Sequence, residues 1–253
     1  MSGRLAVAGL GPGPAKWITP EVSAELEAAT DIVGYQTYLD RVPQRPGQQR
    51  HGSDNRAELD RAREALTMAA EGRHVVVVSG GDPGVFGMSA AVFEAIETGE
   101  PSWRTLDVTV IPGISAMQAA AARLGAPLGH DFCAISLSDN LKPWAAVERR
   151  LRAAADGDFV IALFNPASKA RQEKIHLAFD LLRGCKAAAT PVAFARAIGR
   201  EGEQIVLTSL GDADPGKADM STVVLIGSSE TRLIEHPGCS PWLLSPRTYG
   251  AGR

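Results

Sequence analysis

The amino-acid sequence predicts an α/β protein built from two α/β domains with a cleft between them. Through residue 130, strand-like and helical segments alternate, which is typical of parallel βαβ units. The apolar run "HVVVV" at 74–78 indicates a strand that is covered on both faces. After residue 130 the strand-like segments lie closer together, which favours a mixed sheet. We therefore expect a parallel sheet in residues 1–113 and a mixed sheet in residues 114–253.

The predicted strands are rich in β-branched and apolar residues, as strands usually are. The predicted strands at 203–212 and 221–229 flank a short acidic loop, "GDADPGKADM", which favours an antiparallel or mixed sheet in the second half of the chain. The segments predicted as strands are 4–10, 31–35, 74–81, 107–113, 131–139, 158–166, 190–199, 203–212 and 221–229.

Capping residues and helical spacing locate the helices. Thr19 as N-cap and Pro20 at the first helical position predict a helix at 19–31. An apolar face at helical spacing, followed by Gly72, predicts a second helix over 55–73. The other segments predicted as helices are 88–99, 115–125, 144–156 and 168–184.

Composition excludes several classes of protein. The net charge of -3 in 253 residues argues against a general nucleic-acid binder, which normally carries a basic surplus. No apolar run reaches the ~18 residues that a membrane span requires, and the N-terminus lacks the pattern of a signal peptide. The three cysteines are scattered, so neither a disulfide framework nor a metal site is indicated. We expect a cytoplasmic protein that binds no nucleic acid, no membrane and no metal.

Four predicted strands end in small or turn-forming residues. The segments are "GLGPGP" at 9–14, "SGGDPGVFG" at 79–87, "IPGISA" at 111–116 and "LFNPAS" at 163–168. Ligands of open parallel sheets bind beyond the carboxyl ends of the strands. The four segments therefore predict one shared binding site.

The first of these loops does not suit a phosphate. The chain contains no P-loop string, and Pro14 stands where a dinucleotide fingerprint has its third glycine. Asp31, at the right distance to hold a ribose, begins a predicted strand instead of ending it. Pro12 and Pro14 also remove two N–H donors from the loop. The loop therefore predicts a stiff, donor-poor wall against an organic ligand.

The loop at 79–87 suits an adenosyl ligand without phosphates. Gly80 and Gly81 allow close approach of the backbone, and Asp82 is a fixed acceptor for a hydroxyl or an ammonium group. The alternative is that Asp82 only initiates an Asx turn before Pro83.

Taken together, "GLGPG", "SGGDPGVFG", "IPGISA" and the late strand "STVVLIG" resemble the tetrapyrrole (corrin/porphyrin) methyltransferase family over nearly the whole chain. The resemblance implies two α/β domains, usually in a homodimer, with S-adenosylmethionine held between the domains. "VGYQTYLD", "LFNPASKARQEK" and "IGREGE" resemble the branch that methylates C17 of precorrin-3B and contracts the ring to precorrin-4, in cobalamin biosynthesis. The alternatives are the same step on cobalt-precorrin-3 and a non-catalytic tetrapyrrole carrier.

The resemblance also implies which residues contact the cofactor. They are Pro12, Gly80, Gly81, Asp82, Val85, Ser115 and Ala116 in the first half, and Phe164, Gly199 and Thr222 in the second.

The carboxylates of a precorrin substrate call for cationic and N–H donors. The candidates lie mainly where a predicted strand runs into a predicted helix, at Asn165, Ser168, Lys169 and Arg171. Arg196 and Tyr35 are further candidates for substrate binding. The alternatives are a capped helix start with a solvated basic turn, a surface arginine and a packed tyrosine.

Methyl transfer requires alignment of the nucleophile with the methyl group, whereas ring contraction requires proton transfer. Among the histidines, His130 and His51 are the candidates for this acid or base, because both are expected in loops. The alternative is that each is an ordinary solvated loop histidine.

Overall fold

The computed structural model describes residues 3–54, 57–166 and 173–249. The chain divides into two compact units, Met1–Ala116 and Met117–Arg253.

The first unit contains an all-parallel five-stranded sheet in the order β3-β2-β4-β1-β5. Four of its strands were predicted from the sequence, and the polar edge strand β3 was not, because "QRHGS" has no apolar alternation. The strands are β1 (Arg4–Gly9), β2 (Asp31–Tyr35), β3 (Gln49–Ser53), β4 (His74–Ser79) and β5 (Asp107–Ile111).

Both faces of this sheet are covered, as the run "HVVVV" predicted. Val75 and Val77 belong to one buried cluster, and Val76 and Val78 belong to another on the opposite face. The helices of this part of the chain are α1 (Pro20–Ala28), α2 (Gln36–Leu39), α3 (Glu58–Ala70), α4 (Met88–Thr98) and α5 (Ala116–Leu124). The predicted cap of α1 is present, since the Thr19 hydroxyl accepts a hydrogen bond from the Val22 N–H at 3.2 Å.

The second unit contains a mixed five-stranded sheet in the order β10-β9-β11-β8-β7. β7 (Phe132–Ser136) and β8 (Val160–Phe164) are parallel, and β11 (Thr222–Ile226) is antiparallel to both β8 and β9 (Pro191–Arg196). The edge strand β10 (Gln204–Ser209) is antiparallel to β9. β8 and β9 therefore share a direction, and the carboxyl ends of β7, β8 and β9 lie at one edge of the sheet.

The core of the second unit lies between this sheet and two helices, α6 (Trp144–Asp156) and α7 (Glu173–Arg183). A second, three-stranded sheet has the order β12-β13-β6. Its strands, β6 (Gly125–Ala126), β12 (Arg232–Ile234) and β13 (Trp242–Leu244), are too short to show a pattern, and the sequence analysis did not predict them. In the described ranges, no helix combines the length and the apolar character that crossing a membrane demands.

Candidate active site

Three strand ends of the first unit meet in direct backbone contact. A Cβ atom at Gly9 would lie 2.7 Å from the Gly113 nitrogen and 2.9 Å from the Gly81 oxygen. No side chain fits at that distance. The loops after β1, β4 and β5 therefore converge at the carboxyl edge of the sheet, where Pro12, Gly81 and Ser115 were predicted to lie together.

The loop after β1 is joined to the loop after β4 by a pair of hydrogen bonds. The Gly11 and Gly81 N–H groups each donate to the other residue's carbonyl at 3.1 Å. Both residues have left-handed backbones, with φ of +64° for Gly11 and +71° for Gly81. Glycine adopts this conformation without a steric penalty, which explains the residue type at both positions.

Asp82 holds two loops together. Its Oδ1 accepts a hydrogen bond from the Gly84 N–H at 2.8 Å, which is the Asx turn considered above. Its Oδ2 accepts from the Gly113 N–H at 3.0 Å, across to the end of β5. Because an ionised carboxylate has about four lone-pair sites, Asp82 keeps the capacity to accept a further bond from a ligand.

The turn after Asp82 presents a strained aromatic residue that the sequence analysis did not single out. The Val85 N–H donates to the Asp82 carbonyl at 3.2 Å. The next residue, Phe86, has φ of 54° and is 50% exposed. Non-glycine residues in this conformation concentrate at ligand sites. The only sequence signal for Phe86 was its place in "SGGDPGVFG".

The tyrosines after β2 lie at this same edge. Tyr35 ends β2, and its ring packs edge-on against Tyr38 with centroids 5.5 Å apart. The ring of Tyr38 fills the space beside Gly80, where an added Cβ would lie 2.5 Å from Tyr38 Cζ. A side chain at Gly80 would therefore collide with the Tyr38 ring, and the expected contact of Gly80 with a ligand stays a prediction.

Arg41 is a polar contact of the first loop that sequence reasoning missed. Its Nη2 donates to the carbonyls of Leu10, Gly11 and Gly13 at 2.8–2.9 Å. No sequence signal marked it, because its partners are backbone atoms about 30 residues earlier.

The second unit gathers its candidates at one edge of its sheet. Phe164 ends β8, Arg196 ends β9 and Thr222 begins the antiparallel strand β11. Asn165 follows Phe164 with φ of 51°, and its Nδ2 donates to the buried Ser136 hydroxyl at 3.0 Å. Ser168, Lys169 and Arg171 lie outside the described residues.

Arg196 already has an acidic partner. Its Nε lies 2.8 Å from Asp219 Oδ2, and the Thr222 hydroxyl donates to Asp219 Oδ1 at 2.9 Å. Partial burial raises the pKa of Asp219, but the hydrogen bonds from Thr222 and Arg196 outweigh it and hold this pKa below its usual value. A substrate carboxylate would therefore compete with Asp219 for Arg196. The Gly199 N–H likewise donates to Glu203 Oε2 at 2.7 Å.

Neither candidate histidine lies at the carboxyl edge of the sheet in its own unit. The expectation that His51 lies in a loop is wrong: it lies inside β3, and its Nε2 is 2.8 Å from Asp31 Oδ1 at the amino end of β2. His130 does lie in a loop, but at the amino end of β7, away from Phe164 and Asn165. Its ring packs against Tyr249 with centroids 5.2 Å apart. The catalytic roles of His51 and His130 stay predictions.

Comparison with known proteins identifies the class to which this arrangement belongs. The family model of the tetrapyrrole (corrin/porphyrin) methylases matches residues 4–214. The chain belongs to this family.

Among curated relatives, precorrin-3B C(17)-methyltransferase of Sinorhizobium sp. is 56% identical over 98% of each chain. A probable cobalt-factor III C(17)-methyltransferase of Salmonella typhimurium is 42% identical, over 97% of this chain and 99% of the relative. The crystal structure of the methyltransferase CobJ has a TM-score of 0.92 at 52% identity, covering 97% of this chain and 100% of that one.

A more distant structure shares the fold. Uroporphyrin-III C-methyltransferase of Thermus thermophilus, solved with S-adenosyl homocysteine, has a TM-score of 0.65 at 22% identity, over 89% of this chain and 92% of that one.

Proposed function

We propose that the chain methylates C17 of precorrin-3B, with ring contraction to precorrin-4, in cobalamin biosynthesis. The observation that carries the proposal is the 56% identity to a precorrin-3B C(17)-methyltransferase over 98% of each chain. The glycine-rich edge of the first sheet supports it, because it is built for close backbone packing and not for phosphate binding.

The methyl donor in this proposal is S-adenosylmethionine, which leaves as S-adenosylhomocysteine. In the transfer, an electron pair at C17 forms the new bond to the methyl carbon while the bond from that carbon to sulfur breaks. The residues of the first unit fit such a ligand. Gly9 and Gly113 let the loops after β1, β4 and β5 pack closely at the strand ends, and Asp82 offers an oriented acceptor to hydroxyl or ammonium groups.

The task of these residues is to position the donor, since displacement at carbon depends mainly on alignment. Pro12, Gly80, Gly81, Val85 and Ser115 belong to the loops after β1, β4 and β5, and Ala116 begins α5 directly after Ser115. We assign all six residues to the cofactor. In the second unit, we assign Phe164, Gly199 and Thr222 to the cofactor and Asn165 and Arg196 to the substrate. In the first unit, we assign Tyr35 to the substrate. Ser168, Lys169 and Arg171 complete the proposed substrate-binding set.

Incubation with methyl-labelled S-adenosylmethionine and precorrin-3B tests the activity. The expected result is transfer of one labelled methyl group and a change in the absorption spectrum of the pigment. Absence of both methyl transfer and a spectral change would refute the proposed enzymatic activity. Tight pigment binding without transfer would favour a carrier. A parallel reaction with the cobalt-containing substrate is expected to be slower, because the relative named for a cobalt substrate is the less similar of the two, at 42% identity.

Asp82→Ala is expected to weaken S-adenosylhomocysteine binding by about 10-fold, because hydrogen bonds to a charged group contribute about 1.5–3 kcal/mol. The substitution removes the acceptor for Gly84 and Gly113 and any bond to the ligand. Titration calorimetry measures the affinity, and the exposed Asp156→Ala serves as a control for loss of a carboxylate. Unchanged affinity would show that Asp82 is a turn residue only.

A homodimer and a cytoplasmic location belong to the same proposal. The homodimer rests on the family resemblance, and the location rests on the composition of the sequence. Light scattering coupled to size exclusion is expected to give twice the mass of the 26.7 kDa chain. A mass of one chain would refute the dimer.

A further inference from the structure

The loop between β1 and α1 has an excess of carbonyl acceptors over N–H donors. Pro12 and Pro14 have no N–H group, so they cannot satisfy neighbouring carbonyls. The N–H groups of Leu10 and Gly11 are already bound to Ser79 and Gly81 across the sheet edge. The carbonyls of this loop therefore need donors from outside it.

One guanidinium nitrogen supplies those donors. Arg41 Nη2 lies 2.9 Å from the Leu10 oxygen, 2.9 Å from the Gly11 oxygen and 2.8 Å from the Gly13 oxygen. Hydrogen bonds from a charged donor are about twice as strong as neutral ones. Their convergence on a single atom fixes where these three carbonyl groups lie relative to each other.

Arg41 is held in place by a short segment, residues 36–41, which we call the clamp segment. The segment follows β2 and contains α2, and the Arg41 N–H donates to the Tyr38 carbonyl at 3.1 Å. Gln36 Nε2 also donates to Asp40 Oδ1 at 2.8 Å. Tyr38 packs against Gly80 in the loop after β4. The clamp segment therefore touches both glycine loops that carry the proposed cofactor contacts.

We propose that Arg41 is a positioning residue for the cofactor site, which holds the loop at 10–14 in its binding shape. This inference rests on the proposed function, because it assigns the loop to S-adenosylmethionine. Arg41 acts on the ligand through Gly11, Pro12 and Gly13.

Two variants separate the hydrogen bonds from the rest of the side chain. Arg41→Met keeps the length and removes every donor. Arg41→Lys keeps one charged donor atom. A single atom can replace the guanidinium here, because all three bonds come from one nitrogen in the native protein. Arg45→Met is the matched control, because the Arg45 guanidinium pairs only with the exposed side chain of Glu27 at 2.6 Å among the contacts of the described residues.

The first measurement is amide hydrogen exchange in the ligand-free protein. The Gly11 and Gly81 amides are expected to exchange about 10-fold faster in Arg41→Met, since they report the bridge between the loops. The second is the dissociation constant of S-adenosylhomocysteine. It is expected to rise about 10-fold in Arg41→Met and to stay within about 3-fold in Arg41→Lys, with kcat at saturating cofactor nearly unchanged.

The expected change in Arg41→Met is about 10-fold for both the exchange rates and the dissociation constant. The proposal is overturned if both stay within about 2-fold of the native values. Weaker binding with unchanged exchange would also overturn it, because Arg41 would then contact the ligand directly. If Arg41→Met does not fold, Arg41→Gln takes its place, with the same expected results. If the native protein binds no S-adenosylhomocysteine, the proposed function fails, and the exchange rates still test the role of Arg41.

Discussion

Gly9→Ala is expected to lower the free energy of unfolding by about 3 kcal/mol and to abolish measurable binding of S-adenosylhomocysteine. The new Cβ would meet the Gly113 nitrogen at 2.7 Å, the Gly113 Cα at 2.8 Å and the Gly81 oxygen at 2.9 Å. All three are backbone atoms of other loops, so no flexible side chain can move aside. The strand ends must separate, which also disturbs the bond from the Gly113 N–H to Asp82.

Urea denaturation and calorimetric titration measure the two effects. Gly184→Ala is the control, because its nearest neighbour is the Leu181 oxygen at 3.3 Å and its position is far along the chain from the glycine loops. A Gly9→Ala protein with native stability and native affinity would show that the strand ends have room to separate.

Asp158→Asn is expected to destabilise the protein by about 2.5 kcal/mol at pH 7 and by progressively less below pH 4. Burial raises the pKa of Asp158, but hydrogen bonds from Ser229, Tyr249 and Lys186 lower it from 3.8 to about 2. As the pH falls, the Asp158 carboxylate therefore binds a proton at a higher pH in the unfolded chain than in the folded protein. The stabilisation is fully present above pH 3.8 and is lost as the pH falls to about 2.

The substitution is conservative in shape, since the backbone φ of 54° at Asp158 is one that asparagine also tolerates. It leaves the side chain of Lys186, which is 4% exposed, without its carboxylate partner. Urea denaturation at pH 7, 4, 3 and 2 measures the effect, with the exposed Asp156→Asn as the control. A difference that does not change with pH would refute the assignment of the stabilisation to the ionised Asp158.

The fold was largely predictable because most of its strands are buried. Strands such as β4 and β8 consist of apolar residues between turn signals, and that pattern depends on local sequence alone. The edge strand β3 was missed because only its backbone pairing with β2 makes it a strand. The same error misplaced His51, which was expected in a loop.

The candidate site was predictable where glycine chemistry defines it. Gly11 and Gly81 lie in the glycine-rich loops that the sequence indicated, and the structure explains both residue types by a positive φ. The loop that contains Gly80 was also predicted to bind the ligand, but the packing of the Tyr38 ring beside Gly80 is a contact that no local pattern reveals. Arg41 was missed for a related reason, since its partners are carbonyl oxygens and every residue type has one.

The sequence by itself determined that the loop "GLGPGP" is poor in donors, because proline has no N–H group wherever it lies. It also determined the family, through motifs in a particular order. Only the tertiary structure decided how that loop keeps its shape: by the bridge to Gly81 and the guanidinium of Arg41. Those contacts join segments distant along the chain, and their geometry depends on strand order and register, which local sequence patterns do not encode.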